Sequence, residues 1–297
     1  MNSNPALKKL GFSDSDRVVI IHTDDIGMCQ ASMAAFADLF EFGLISSGAV
    51  MMPCPWALEA AEFQVDHPLA DLGIHVTLTS EWKNYRWGPL STREPKTGLM
   101  DEQGFFHRRS VGVQTHADPT AVALEIETQV QRALSAGMKP THMDTHMGSV
   151  AHPKFMQTYV NIAVKYHLPP MVFRWGDAQW RERGMDAAGA AMASQYSLML
   201  EANGLPLLDH MVGLPLDQPA NRLEQAKAAF RGLQPGITHF IIHPSKDTPE
   251  LRAITPDWLC RVGDYQTFLM EELKTFIKQS GIQVIGYRDI QKIMPGG

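Results

Sequence analysis

The strongest constraint on the fold is the alternation of short apolar runs with longer amphipathic stretches along the chain. The apolar runs are rich in Val and Ile and bounded by turn residues, which predicts β-strands, whereas the amphipathic stretches have the period of helices. Repeated strand-then-helix units build parallel sheets covered by helices. The predicted fold class is therefore α/β. A (β/α) TIM-like barrel, complete or distorted, is the expected architecture, with a doubly wound open sheet as the alternative.

These patterns predict eight strands and seven helices in a chain of 297 residues. Because such barrels commonly run to roughly 250 residues as one unit, we expect a single domain over residues 1–297. The predicted strands are 17–22, 48–52, 71–78, 141–144, 171–173, 210–213, 238–243 and 283–286. The predicted helices are 30–42, 56–65, 121–136, 154–166, 187–202, 221–232 and 265–278.

One segment, at about residues 80–118, breaks this rhythm. It carries five aromatic residues among Gly, Pro and charged residues: Trp82, Tyr85, Trp87, Phe105 and Phe106. Long loops in barrel enzymes usually shape the mouth of the active site. We therefore expect a mouth loop here.

Composition narrows the class of partner. The formal net charge is −6, and no basic run could neutralise a series of phosphates, so we expect no nucleic acid partner. The start lacks a secretory pattern and no apolar stretch reaches about 18 residues, so we expect a soluble, cytoplasmic protein without a membrane partner. A homo-oligomer is compatible with the sequence. Cys29, Cys54 and Cys260 show no paired spacing, which predicts buried free thiols.

The first predicted strand runs directly into two adjacent carboxylates, Asp24 and Asp25. Neighbouring side chains on an extended segment point to opposite sides, so a metal ion could bind only one of them squarely while the other takes a second role. An alternative is that one Asp caps the following helix.

Two further strands carry imidazoles. His75 stands among apolar residues of the third strand, where a lone His is usually a hydrogen-bonded core residue. His142, Asp144 and His146 occupy alternate positions and would share one face of an extended strand. Because a buried triplet of this kind needs a partner charge, a metal ion is the favoured interpretation.

The seventh strand ends in His243, which Pro244 restrains. His239 is a competing candidate, although it should lie nearer the opposite rim. Arg174 follows strand 171–173 and is a candidate at the mouth, with a structural salt bridge as the alternative. One Asp and two His suit a divalent ion with open positions for water and substrate, which indicates metal-assisted hydrolysis.

Four stretches, in this order, resemble motifs of the YdjC-like (ChbG/HpnK) carbohydrate deacetylases. They are 22–27 (His-Thr-Asp-Asp-Ile-Gly), 73–78 (Gly-Ile-His-Val-Thr-Leu), 140–146 (Pro-Thr-His-Met-Asp-Thr-His) and 243–244 (His-Pro). The surroundings depart from the family pattern, because Met147 and Gly148 follow the third motif where the family has further His residues. Thr23 and Ile26 likewise stand where Ala and Phe are common. The resemblance therefore implies a metal-binding site like that of the family, but it does not identify a particular sugar as the substrate.

Carried over by position, the resemblance implies that Asp25, His75 and His146 bind the metal. It also implies that Asp24 is the general base and His243 the general acid. The implied reaction removes an acetyl group from a small N-acetylated sugar or oligosaccharide and releases acetate. The implied cofactor is one divalent metal ion, for which two imidazoles favour Zn²⁺, while Mg²⁺, Co²⁺ and Ni²⁺ are also compatible.

The resemblance gives Asp144 the part of orienting a ligand or the base, and His142 and Arg174 are further candidates for such contacts or for substrate binding. Two other functions are compatible with parts of the pattern. A non-haem iron oxygenase would use His142, Asp144 and His243 as two His and one carboxylate. A non-catalytic carbohydrate-binding protein would instead stack sugar rings on the aromatic residues of 80–118.

Overall fold

A parallel β-sheet forms the centre of the computed structural model, which describes residues 3–296. Residues 1, 2 and 297 of the expected single domain lie outside the described residues. The strands run in the order β4-β3-β2-β1-β6-β5, with β7 beside β1, and all these pairings are parallel. The strands are β1 (Arg17–Ile26), β2 (Ser47–Val50), β3 (Leu72–Val76), β4 (Met143–Thr145), β5 (His210–Gly213), β6 (Gly236–Ile242) and β7 (Gln283–Val284).

Helices cover this sheet and connect its strands. In chain order they are α1 (Pro5–Lys9), α2 (Gln30–Phe42), α3 (Ala57–Asp66), α4 (Ser110–His116), α5 (Pro119–Ser135), α6 (Pro153–Lys165), α7 (Asp177–Glu182), α8 (Ala187–Ala202), α9 (Arg222–Arg231), α10 (Pro249–Ile254), α11 (Trp258–Phe268), α12 (Glu271–Gln279) and α13 (Tyr287–Lys292). Two short 3₁₀ helices lie at Pro95–Thr97 and His146–Gly148.

Strand β1 is the central strand of the sheet. Its apolar run, residues 18–21, is fully buried, as expected for a parallel strand covered on both faces. It pairs with β6 along residues 17–23, with β7 near its start and with β2 near its end. The carboxyl end of β1 therefore lies beside the ends of its neighbours, where parallel α/β sheets place their functional side chains.

The predicted strand 171–173 is not a regular strand. Isolated bridges nevertheless link Met143 to Pro170 and Phe173 to Leu208, so backbone hydrogen bonds join the two edges of the sheet through this segment. Pro169 and Pro170 cannot donate to a ladder, which explains the irregular pairing. The α/β class with a parallel sheet is confirmed, whereas a complete barrel of eight regular strands is not.

The predicted helix 265–278 is two helices, α11 and α12. The chain leaves the helical conformation at Met270, whose backbone is extended. Both helices pack against α9, and the bend allows each of them to reach it. The prediction failed because helical periodicity alone does not report a change of axis made for packing.

Cys29, Cys54 and Cys260 are free and buried, as predicted. Within residues 3–296, every helix is too short or too polar to cross a lipid bilayer.

Candidate metal centre and active site

The two adjacent carboxylates at the end of β1 point into the same site. Asp24 Oδ2 lies 3.7 Å and Asp25 Oδ1 lies 3.5 Å from Nε2 of His75. The cause is the backbone of Asp25, whose φ of 61° is left-handed and coincides with a register shift in the β1–β2 pairing. The expectation that alternation would separate the two side chains is therefore wrong, since alternation holds only for extended backbone.

Asp25, His75 and His146 form a buried group whose ligand atoms lie close enough together to hold one metal ion. Asp25 Oδ1 lies 3.1 Å from Nδ1 of His146 and 3.5 Å from Nε2 of His75. Asp25 Oδ1 and His75 Nε2 are buried and have no hydrogen-bond partner. Unpartnered buried polar atoms are costly, so a cation between these three residues fits the donor set.

Each of the two imidazoles is held from behind by a carboxylate. Asp144 Oδ1 lies 2.8 Å from Nδ1 of His75, and Glu81 Oε2 lies 3.0 Å from Nε2 of His146. These contacts leave one nitrogen of each ring facing Asp25. A carboxylate behind a His ligand fixes its ring orientation and tautomer. Glu81 was not predicted, and its only sequence signal is its place a few residues after His75.

Arg261 of α11 is a second residue that sequence reasoning missed. Its Nη1 lies 2.7 Å from Oδ2 of Asp25, and its Nε bonds Asp257 one helical turn earlier. Its guanidinium also lies 5.5 Å from the ring centre of Trp82. Arg261 thus neutralises and orients the outer oxygen of Asp25, and no local pattern indicates this because the two residues are 236 positions apart.

Asp24 and His243 flank the three-residue group. His243 Nε2 lies 3.7 Å from Oδ2 of Asp24. The backbone N–H of His243, at the start of the loop after β6, donates to the carboxylate of Asp264. The side chains of His243 and Asp24 are 19% and 12% exposed, compared with 2% for Asp25. These two side chains are therefore the more accessible to a substrate.

The electrostatics differ between the two carboxylates. Burial raises the pKa of Asp24 to about 6, although the charges of His75 and His22 act to lower it. Burial acts on Asp25 as well, but His146 and Arg261 hold its pKa well below the usual range. One carboxylate is therefore firmly ionised, while its neighbour can exchange a proton near neutral pH.

The pKa values of the imidazoles also differ: those of His75 and His146 are raised, and that of His243 is lowered. Burial would lower the pKa of His146, but Glu81 and Asp25 raise it to about 9. Burial likewise opposes a charge on His75, yet Asp144 and Asp24 raise its pKa well above the usual range. Burial lowers the pKa of His243 to about 4, so this ring is neutral at pH 7.

Two candidates are not brought into this group. His142 stacks on Tyr287 with ring centres 3.9 Å apart, and its ring fills the space beside Gly73, where a Cβ would approach it to 2.5 Å. The guanidinium of Arg174 forms salt bridges with Glu201 and Asp209. This is the structural role that the sequence analysis gave as the alternative to a place at the mouth.

A second group, His22, Asp24, Asp144 and His239, lies next to the first, and all of its members except Asp24 are buried. His22 Nε2 is 2.9 Å from Oδ2 of Asp144, the carboxylate that also holds His75. Sequence reasoning did not select His22, although its place two residues before Asp24 on β1 was visible. Across residues 3–296, neither group contains the combination of His142, Asp144 and His243 that an iron oxygenase would need.

Known proteins resemble this chain over nearly its whole length. A family model described as YdjC-like protein matches residues 18–279. A carbohydrate deacetylase of Thermus thermophilus is 30% identical over 277 residues, 92% of this chain and 94% of that protein. A carbohydrate deacetylase of Thermoanaerobacter pseudethanolicus is 26% identical over 271 residues, 91% and 98% of the two chains. A solved Enterococcus faecalis protein, provisionally described as a cellobiose-phosphate cleavage protein, shares the fold, with a TM-score of 0.73, 21% identity and coverage of 93% and 99%.

Proposed function

Because the chain belongs to the YdjC-like protein family, we propose that it is a carbohydrate deacetylase that hydrolyses the amide of an N-acetylated sugar and releases acetate. The proposal is supported by the two relatives named carbohydrate deacetylase, which match more than nine-tenths of the chain. The observation that carries it is the convergence of Asp25, His75 and His146, with unpartnered buried ligand atoms, beside Asp24 and His243.

In this proposal Asp25, His75 and His146 hold one divalent metal ion. A bound ion would polarise the acetyl carbonyl, lower the pKa of the attacking water and offset the negative charge that develops on the carbonyl oxygen. Two imidazole ligands favour Zn²⁺ among the candidate metals. Asp144 and Glu81 keep the two rings oriented, and Arg261 holds the outer oxygen of Asp25.

Asp24 is the general base. In the metal-free site burial raises its pKa to about 6, so Asp24 is ionised at pH 7 and can accept a proton. It takes a proton as the water oxygen bonds to the acetyl carbon. His243 starts neutral, so it must gain a proton before it can act as an acid, and Asp24, 3.7 Å away, supplies it. His243 then protonates the nitrogen as the C–N bond breaks, and the amino sugar and acetate leave.

The finer architecture also belongs to the proposal. We take residues 1–297 to act as one domain whose sheet functions as a distorted barrel, closed by the irregular pairing of residues 169–174. Segment 80–118 forms one wall of the mouth, since it supplies Glu81 and places Trp87 within 6.3 Å of the ring of His146.

The test is acetate release from GlcNAc, chitobiose and longer N-acetylated oligomers. The protein is stripped of metal and then resupplied with Zn²⁺, Mg²⁺, Co²⁺ or Ni²⁺. We expect acetate from at least one sugar, only with metal, and roughly 10²–10⁴-fold slower release from Asp24→Asn. Metal-independent release would overturn the roles of the three ligands. No release from any sugar, with metal shown to be bound, would overturn N-acetylated sugars as substrates.

A further inference from the structure

Helix α8 is almost uncharged on every side. Its inner face is buried against the rest of the chain and consists of Gly189, Ala190, Ala193, Ser194, Ser197 and Leu200. The residues of its outer face are exposed, and we define that face as Ala188, Ala191, Met192, Gln195, Leu198, Met199 and Ala202. In the described helix the only charged residue is Glu201, which pairs with Arg174. A helix that is apolar all round is usually buried on all sides.

Helix α12 shows the usual pattern of a surface helix. Leu273 and Ile277 are buried in it, whereas Glu271, Glu272 and Lys278 are exposed. Charged residues of this kind keep an outer face solvated. The described outer face of α8 lacks them, and its three large apolar side chains are 47–67% exposed. These side chains gain free energy when another surface covers them.

The uncharged surface continues into a groove between α6 and α8. Met156 and Gln157 of α6 line it beside Tyr196 of α8. Of the described residues that line the groove, only Lys165 is charged, and its ammonium pairs with Glu127. Because the chain has a formal net charge of −6, two copies repel each other over much of their surface. This face can approach a second copy without that repulsion.

The outer face is symmetric about Gln195. Apolar residues flank Gln195 at three, four and seven positions on both sides, as the pairs Met192 and Leu198, Ala191 and Met199, and Ala188 and Ala202. Spacings of three and four residues form the seam along which two helices pack. When two copies pack antiparallel about a twofold axis, residues equidistant from that axis meet. An axis at Gln195 therefore sets each residue of the outer face against a residue of the same face.

This pairing matches the residues in size and polarity. Met199 of one copy meets the small Ala191 of the other, and Met192 meets Leu198. Gln195 meets its own counterpart on the axis, where the amide N–H of each can donate to the amide oxygen of the other. A polar residue in the middle of an apolar seam fixes the register, because a shifted register would leave both amides without a partner.

We propose that the outer face of α8 binds the same face of a second copy of this chain, with the two helices antiparallel about a twofold axis at Gln195. The proposal does not depend on the deacetylase function, since no residue of the outer face belongs to the candidate site.

The first test is the oligomeric state of the full chain, measured by sedimentation velocity over a series of micromolar concentrations. We expect a species of twice the mass of one chain. Leu198→Glu places two like charges in the seam and should raise the Kd of the dimer at least about tenfold. Leu124→Glu is the matched control, because Leu124 is a 55% exposed leucine on α5, and it should leave the Kd unchanged.

Circular dichroism would show that both variants are folded. An unmodified chain that is monomeric at every concentration would overturn the proposal. A dimer that forms equally well with Leu198→Glu would also overturn it, since the interface would then lie elsewhere.

Cysteine cross-linking tests the axis itself. Gln195→Cys should form a disulfide between two chains under mild oxidation, because the axis brings the two copies of this position together. Leu198→Cys alone should not, although it should cross-link when mixed with Met192→Cys. The native cysteines are buried, so the unmodified chain is the blank. A dimer in which Leu198→Cys cross-links and Gln195→Cys does not would overturn the antiparallel arrangement about Gln195.

Discussion

Asp25 shows how one dihedral angle can set the chemistry of a site. Its left-handed backbone turns its carboxylate to the same side as that of Asp24, so two adjacent residues serve one centre. Aspartate tolerates this conformation better than most residues. The neighbouring charges then separate the two pKa values, which fits one carboxylate for binding a cation and the other for moving a proton.

This division of labour predicts two distinct failures. His75→Ala or His146→Ala should lose metal and activity together, because each removes a ligand. Asp24→Asn should keep the metal but lower kcat by roughly 10²–10⁴-fold, the usual contribution of a general base. His243→Ala should likewise retain metal and lose turnover. Metal content by mass spectrometry and acetate release under saturating sugar distinguish the two classes. Full metal retention in both ligand variants would contradict the assignment.

The raised pKa values of the two imidazoles predict that metal binding depends on pH. In the metal-free protein His146, with a pKa of about 9, and His75 both carry protons at pH 7. A metal ion must displace these protons, so its Kd should fall as pH rises from 6 to 8, by about tenfold per pH unit for each proton released. Calorimetry in buffers of different ionisation enthalpy would count the protons. A Kd independent of pH would show that both rings are already neutral.

At the scale of elements, segment 80–118 contributes a side chain to the candidate site. The segment places Glu81 beside Nε2 of His146. Helix α11 places Arg261 beside Oδ2 of Asp25. Strands β1 and β3 and the turn after β4 thus supply the proposed ligands, and the connecting segments supply the groups that orient them.

Glu81 therefore has a testable positioning role. Glu81→Gln keeps the shape but removes the charge, so we expect roughly 10–100-fold weaker metal binding, with the fold and melting temperature of the metal-free protein little changed. Glu81→Asp should recover part of the affinity. Glu94→Gln is a matched control, since Glu94 lies in the same segment and its side chain is 52% exposed. If Glu81→Gln binds metal as tightly as the unmodified protein, Glu81 has no positioning role in metal binding.

For the whole molecule, a metal ion bound at the proposed centre would couple the site to stability. The three proposed ligands come from β1, β3 and the turn after β4 and meet only in the folded chain. An ion that binds only the folded state stabilises it by about 2.7 kcal/mol when present at 100 times its Kd.

The melting temperature should therefore rise with Zn²⁺ concentration and return to the metal-free value after chelation. Calorimetry or circular dichroism across a series of metal concentrations would measure this. His146→Ala should melt at the same temperature with and without Zn²⁺. A rise of similar size in that variant would place the stabilising metal elsewhere.

The α/β class, most element positions and the residue types of the site could all be predicted from the order of residues. These are local properties, because apolar periodicity reports which face of a strand or helix is buried and because parallel strands end on one side of a sheet. The same reasoning brought out Asp25, His75 and His146, the group the structure gathers. Only the folded chain revealed the left-handed turn at Asp25, the irregular pairing at 169–174 and the contacts of Glu81 and Arg261. Those features join residues up to 236 positions apart, and such contacts depend on packing rather than on any local pattern.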